Sequence, residues 1–501
     1  MSHGIQTEQF VDNYRQALQN EKLQRALSNA TGRFTLARGI AVAGVGGAEW
    51  QQLRDVARQV KEHTIGNLDR YLDQFASNVE RLGGTVFWAK DAGEANDYIT
   101  RLARDRGVTL AVKSKSMMTE EVELNRAFIR AGVEPIETDL GEYIVQLAGE
   151  RPSHIIAPAI HKTRQDVADL FTDKLHVERN EEIEKMTALA RRVLRQKFAS
   201  AGMGVTGANF AVAETGTIVL VENEGNIRMT NSLPAVHVAL MGIEKVIPRL
   251  RDLAVFLRLL PRSATGQRMS SYVSFLTGVK RSEADEGPAE LHVVILDNGR
   301  TEALANPHLR ESLYCIRCGA CLNACPVYQK IGGHAYGWIY PGPIGSVLTP
   351  QLVGREKAAN LPFASSLCGA CREVCPIKIN IPDMLLQLRH EVKEPAQRTA
   401  VEPPAARDNQ TPGRHLKHRI ERIAERTAVK VWAWAMKSPA RYVRVTALAR
   451  LASQASITPG KALPAIPWTE TRDLPPFAPR PFRDLWPEIA GPASKKQKTS
   501  I

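Results

Sequence analysis

The 501 residues are 44% hydrophobic, enough for two to four cored domains and too apolar for a disordered chain. The net charge of +13 is concentrated from Arg389 onward, where 21 Lys and Arg face 10 Asp and Glu, so the rest is close to neutral. No apolar run nears about 18 residues, and the opening MSHGIQTEQF lacks a basic and then apolar leader, so neither a spanning helix nor a secretory signal is expected.

Residues 1–82 read as a polar helical segment, most clearly NLDRYLDQFASNVERL at 67–82. Within it, GVGGAEW at 44–50 offers Gly44 and Gly46 of a dinucleotide fingerprint but has Glu49 at the third glycine position, so it reads as a loop before the helix AEWQQLRDVARQV. From Gly84 the pattern changes. Strand-like TVFWA (85–89), VTLAV (108–112), TIVLVEN (217–223) and LHVVIL (291–296) alternate with helix-like EEVELNRAFIRAG (120–132) and residues 181–199. In the last of these, Ile183, Met186, Ala190 and Val193 make one apolar face, and Asn180 can cap the start. Such alternation predicts an α/β domain with a largely parallel sheet over 83–300. No phosphate-binding P-loop and no G-x-S-x-G elbow appears in the chain.

Two stretches of this domain are candidates for binding or catalysis. KSKSMMTEEVELN places Lys113, Ser114, Lys115 and Ser116 after a strand and before a helix, where small anions collect; a capped helix start with exposed lysines accounts for it as well. Glu214 stands beside Gly216 between two strands, as a polar site residue or as part of a plain hairpin turn.

All seven cysteines fall between residues 301 and 395, which leaves none for a structural disulfide and fits a reducing, cytoplasmic compartment. CIRCGACLNACP at 315–326 has the C-x2-C-x2-C-x3-C-P spacing of bacterial ferredoxins, in which three thiolates face one cluster and the fourth cysteine serves the other. SSLCGACREVCP at 365–376 repeats it with Ser365 at the first cysteine position. By that rule Cys315, Cys318, Cys321 and Cys375 hold one [4Fe–4S] cluster, and Cys325, Cys368 and Cys371 hold a second. The second has three readings: Ser365 ligates it, another residue or water does, or it is [3Fe–4S]. Structural zinc is the competing metal, but it ordinarily uses paired C-x2-C units or histidine. Between the motifs runs GGHAYGWIYPGPIG, whose His334 is a candidate ligand of the incomplete cluster or a proton carrier, with a backbone hydrogen bond as the plainer role.

Residues 396–501 form a basic, proline-rich end. In 413–437, Leu416, Ile420, Ile423 and Trp434 fall near one helical face among Arg and Lys, and eight prolines lie between Pro464 and Pro492. A docking arm for a protein partner or an anionic membrane surface fits this composition. No DNA-reading helix pair is legible, so no nucleic-acid partner is expected.

CIRCGACLNACPVYQKIGGHAYGWIYPGPIG and SLCGACREVCP, together with the upstream AETGTIVLVENEGNIRMTN and the terminal PFRDLWPEI, resemble the iron–sulfur subunit of bacterial lactate-utilisation systems, the LutB (YkgF) family, over nearly the whole chain. The resemblance implies a LUD domain folded like NagB, RpiA and CoA transferases, followed by a mainly α ferredoxin-type domain. It further implies seven cluster cysteines as the family pattern, and LutA-like (cysteine-rich) and LutC-like (LUD) partners in oxidising L-lactate to pyruvate. Its electron acceptor is open. The expected role is electron transfer through two clusters. Alternatives are a LUD domain that binds and oxidises lactate itself, and a redox-sensing regulator.

Overall fold

The computed structural model describes residues 4–282, 285–393, 427–456, 478 and 480–489. Two compact units divide the chain, Met1–Arg398 and Thr399–Ile501.

The first unit opens with four helices: α1 (Phe10–Gln19), α2 (Glu21–Ala43), α3 (Gly47–Gly66) and α4 (Leu68–Arg81). Asn20 caps α2 by accepting from the Leu23 amide. In α4, Leu68, Tyr71, Leu72, Phe75, Ala76 and Val79 are buried, the three- and four-residue recurrence of an amphipathic helix. The inner face of α3 is unusual because it buries Arg54 and Lys61 beside Trp50, Ala57 and Ile65.

Ten strands follow: β1 (Thr85–Ala89), β2 (Leu110–Lys113), β3 (Glu134–Glu137), β4 (Met203–Thr206), β5 (Phe210–Val212), β6 (Thr217–Glu222), β7 (Val236–Gly242), β8 (Val246–Ile247), β9 (Tyr272–Leu276) and β10 (Glu290–Leu296). Six of them form a sheet in the order β1-β10-β7-β4-β2-β3, with every pairing parallel. Its central strand β7 is buried at all seven positions, as expected of a parallel strand covered on both faces. The smaller sheet, β8-β5-β6-β9, is mixed: β6 runs antiparallel to β5 and β9.

The α/β alternation read from the sequence therefore appears, with local corrections. The helix expected over 120–132 is two, Met117–Glu121 and Leu124–Arg130, broken at Glu123 with φ of 53°. Asn180 does not cap the long helix, which spans Ile183–Ser200; its side chain accepts from the Glu182 amide in a preceding turn. That helix buries Met186, Ala190, Leu194 and Phe198, so the apolar face is rotated away from Ile183, which is exposed.

Residues 300–393 are short helices and tight turns that pack against α2 and α3. A fully enclosed ion network joins them to the sheet. Arg300 pairs with Glu121 at 2.7 Å and with Glu244 at 2.8 Å. Arg317 reaches Glu244 at 3.3 Å, and the Tyr340 hydroxyl donates to Glu121 at 2.6 Å.

In the second unit, residues 427–436, Pro439–Ser456 and Phe482–Ile489 are helical, and Trp432, Trp434 and Trp486 are exposed. Leu416, Ile420 and Ile423, and most of the proline run, lie outside the described residues. No helix among the described residues is long and apolar enough to cross a membrane.

Two buried imidazoles make stability pH-dependent. Burial lowers His237, whose Nε2 meets Thr206 Oγ1 at 2.9 Å, to about 3, and His154 to about 3. The unfolded chain binds these protons near pH 6.5 while the folded one refuses them until about 3. Stability is thus expected to fall with pH across that window by roughly 1 kcal/mol per unit for each histidine. Urea titrations at several pH values check this, and His237→Gln should flatten the slope by one histidine's share.

Candidate functional site

The two cysteine motifs fold alike. Each turns through two left-handed residues, Arg317 (φ 58°) and Gly319 (φ 74°) in the first, Leu367 (φ 56°) and Gly369 (φ 84°) in the second. A glycine after the second thiol suits this φ and brings the next amides toward sulfur. In the first motif the Arg317 amide donates to Cys315 Sγ at 3.4 Å; in the second the Leu367 amide donates to Ser365 Oγ at 3.1 Å. The Ser365 hydroxyl is therefore held by the same local hydrogen bond as the Cys315 sulfur. Later in each turn, Tyr328 and Ile379 amides donate to Cys325 and Cys375 Sγ at 3.5 and 3.4 Å.

Cys315, Cys318, Cys321 and Cys375 line one small cavity, walled by Ile155, Ile344, Ile377, Ile379 and Ile381. Cys375 comes to it from the second motif because α2 and α3 grip the backbone there. Arg54 donates to the Cys375 carbonyl at 2.8 and 3.0 Å and to Glu373 O at 2.9 Å. Arg38 donates to Val374 O at 2.9 Å and Arg58 to Lys378 O at 2.8 Å. The remaining three cysteines neighbour one another: burial raises Cys371 to about 12, and the charges of Cys325 and Cys368 add to the rise. Cys325 and Cys371 are buried, whereas Cys368 is exposed and its thiol is lowered by the Ala370 amide and the Ser366 hydroxyl.

This donor set fits an iron–sulfur group. Burial pushes Cys318 and Cys321 well up and Cys375 up to about 11, so their thiolate forms need a positive centre beside them. Four convergent sulfurs in an apolar cavity, with amides aimed at sulfur, supply the setting in which such a centre is held.

The other sequence candidates separate. Lys113 is not free for an anion: its ammonium, fully buried, is 2.8 Å from Glu120, 2.7 Å from Glu137 and 2.7 Å from Thr119. Burial alone would lower it, but Glu120, Glu137 and Glu142 overcome that and raise it. Glu214 is exposed on the β5–β6 turn, where its carboxylate accepts from the Leu250 amide at 2.9 Å, tying the turn to the segment after β8. Around His334 the structure brings Glu150 and His161, and its Nε2 meets Arg151 O at 2.7 Å.

Lys115 alone of the charged candidates faces a cavity of about 310 Å³. That cavity opens over the carboxyl ends of β2, β4 and β7, neighbours in the sheet, through Ser114–Ser116, Gly207–Asn209 and Lys245. Arg317 and Ile155 line both it and the four-cysteine cavity. Neither Arg317 nor Lys245 stood out in the sequence. Arg317 was hidden among the x positions of C-x2-C, and Lys245 carries no local pattern.

Models of three families match the chain: LUD domain over residues 72–296, 4Fe-4S dicluster domain over 311–379, and Lactate utilisation protein B, C-terminal, over 387–489. The "Lactate utilization protein B" of Bacillus cytotoxicus is 41% identical over 493 residues, covering 97% of this chain and 98% of the relative. That of Oceanobacillus iheyensis is 39% identical over 494 residues, covering 98% of each. A crystal structure of a DUF162 family protein from Deinococcus radiodurans covers 46% of this chain and 98% of that one at 13% identity and a TM-score of 0.27, a superposition too loose to carry detail.

Removing one partner of a buried ion pair leaves the other charge stranded. Lys113→Met is expected to destabilise the fold by about 3–5 kcal/mol in urea unfolding, and Lys115→Met by less than about 1 kcal/mol.

Proposed function

The chain belongs to the lactate utilization protein B family, and on that premise we propose that it is the electron-transfer subunit of a complex that oxidises L-lactate to pyruvate. The observation that carries this reading is the convergence of Cys315, Cys318, Cys321 and Cys375 from two motifs on one buried cavity.

In this reading those four residues hold one [4Fe–4S] cluster, and Cys325, Cys368 and Cys371 hold a second, with the Ser365 hydroxyl at the place of the eighth thiolate. The second is [4Fe–4S] if Ser365 or another oxygen completes it, and [3Fe–4S] if nothing does. Such clusters supply one-electron transfer, dividing the two electrons that leave with two protons when lactate becomes pyruvate. The protein's own residues shape the path. The isoleucines exclude water from the first group, Arg38 and Arg54 place positive charge beside Cys318 and Cys375, and the exposed Cys368 gives the second group its contact with the surface.

The partners are a LutA-like cysteine-rich protein and a LutC-like LUD protein, with residues 396–501 as the docking region. That basic region also suits an anionic membrane surface, which would set the complex on the inner face of the membrane. The four-part division at residues 82, 300 and 395 belongs to the same reading.

The test is bleaching of the visible iron–sulfur absorption in protein purified without air. L-lactate should bleach it only when both partner proteins are present. Bleaching by lactate alone would move the oxidation into this chain, and no bleaching despite full iron and sulfide content would overturn the reading. Ser365→Cys should supply the missing thiolate and slow the loss of iron in air; an unchanged rate would remove Ser365 from the second site.

A further inference from the structure

The cavity over β2, β4 and β7 holds polar groups that the fold leaves unused. Arg317 is only 8% exposed, yet its Nη1 has no hydrogen-bond partner. Ser114 is 1% exposed, and its Oγ has none either. Both line the cavity. A buried donor without a partner costs about 1–3 kcal/mol, so two in one wall mark a place where something else completes them. Lys245 also lines the cavity, and its ammonium forms no hydrogen bond or ion pair among the described residues.

The carboxylates on the same wall are already engaged. Asp139 accepts from the Glu142 amide and Glu222 from the Ile227 and Arg228 amides at 2.7 Å each, so both serve helix starts, and the exposed Glu224 accepts from the Asn223 amide at 3.2 Å. Lys115 is held by the Ile156 carbonyl. What remains unsatisfied is cationic or hydroxylic. Arg317 cannot turn away, because its other nitrogen is fixed to Glu244 and its guanidinium lies 4.9 Å from the Tyr340 ring centroid.

We propose that this cavity binds a small monocarboxylate of the 2-hydroxy or 2-oxo acid class, with the Arg317 guanidinium, the Ser114 hydroxyl and the Lys245 ammonium receiving its carboxylate. A planar guanidinium edge matches a carboxylate, and a second cation and a hydroxyl complete the acceptor sites of an anion. The choice among anions rests on the lactate reading above; the presence of an anion site does not. The occupant sits one side chain from the first cysteine group, since Arg317 lies between Cys315 and Cys318 and lines both cavities.

Isothermal titration of the full chain, carrying its iron and sulfide, tests this with sodium L-lactate and sodium pyruvate as probes and lactamide as the uncharged isostere. Both acids should bind saturably and lactamide at least about tenfold more weakly, the loss expected for a charged hydrogen bond. Lys245→Met and Ser114→Ala, which leave the cysteine loop intact, should each weaken the acids severalfold. Arg317→Lys should do so by about tenfold or more. Equal binding of lactamide, wild-type affinity in both Lys245→Met and Ser114→Ala, or binding of inorganic phosphate without either acid would overturn the proposal. These heats need no partner protein and no electron transfer, so the electron-carrier reading fails or survives separately, by bleaching.

Discussion

Glu244 is the point on which the first unit is hung. Its carboxylate is 1% exposed and receives two guanidinium groups, Arg300 from the end of the sheet domain and Arg317 from inside the first cysteine motif. Burial alone would raise its pKa, but Arg300 and Arg317 hold it at about 2, so it is an anion at any ordinary pH. An enclosed charge of this kind tolerates little displacement, because a partner withdrawn leaves the other uncompensated in a medium that solvates it poorly. The sheet and the cysteine loop are consequently fixed to each other to within a hydrogen-bond length. The same constraint holds Arg317, whose Nη1 has no partner, at the wall of the neighbouring cavity.

Much of this was legible in the chain. Strands such as TVFWA and LHVVIL announce themselves by β-branched and aromatic runs, and the α/β alternation follows from them. The cysteine spacing carries its chemistry openly, because thiolates at 2-2-3 intervals have few other uses. The errors fell where a side chain's role depends on distant partners. Lys113 and Lys115 are two apart, a spacing that on a continuing strand would put both on one face; β2 ends at Lys113, and one side chain enters a nest of glutamates while the other lines a cavity. Nothing local distinguishes them. The apolar face of the long helix was misplaced for a like reason: Ile183 satisfies the periodicity yet is exposed, while packing partners distant in the chain bury Met186, Ala190, Leu194 and Phe198.

The two cysteine groups are alike in backbone and unlike in environment. The first lies within a wall of isoleucines and guanidinium groups, while the second includes the exposed Cys368 and a serine held in the place of a cysteine. Solvation and donor identity both tune the potential of such centres. On the two-cluster reading proposed above, a single duplicated turn provides two different electronic settings through one substitution and a difference in burial.

The grip of α2 and α3 on the second motif spans much of the chain, with Arg54 bound to a carbonyl 321 residues further on. During synthesis those helices leave the ribosome long before the backbone they are to hold. Until Cys375 follows, six of the seven thiols have been made, and the three that share its cavity, Cys315, Cys318 and Cys321, have no completed seat. In the proposed reading, iron delivery to that cavity waits on the synthesis of Cys375. The interval before closure around Arg54 is when oxygen, stray zinc or an incorrect thiol pairing would compete most directly with that delivery.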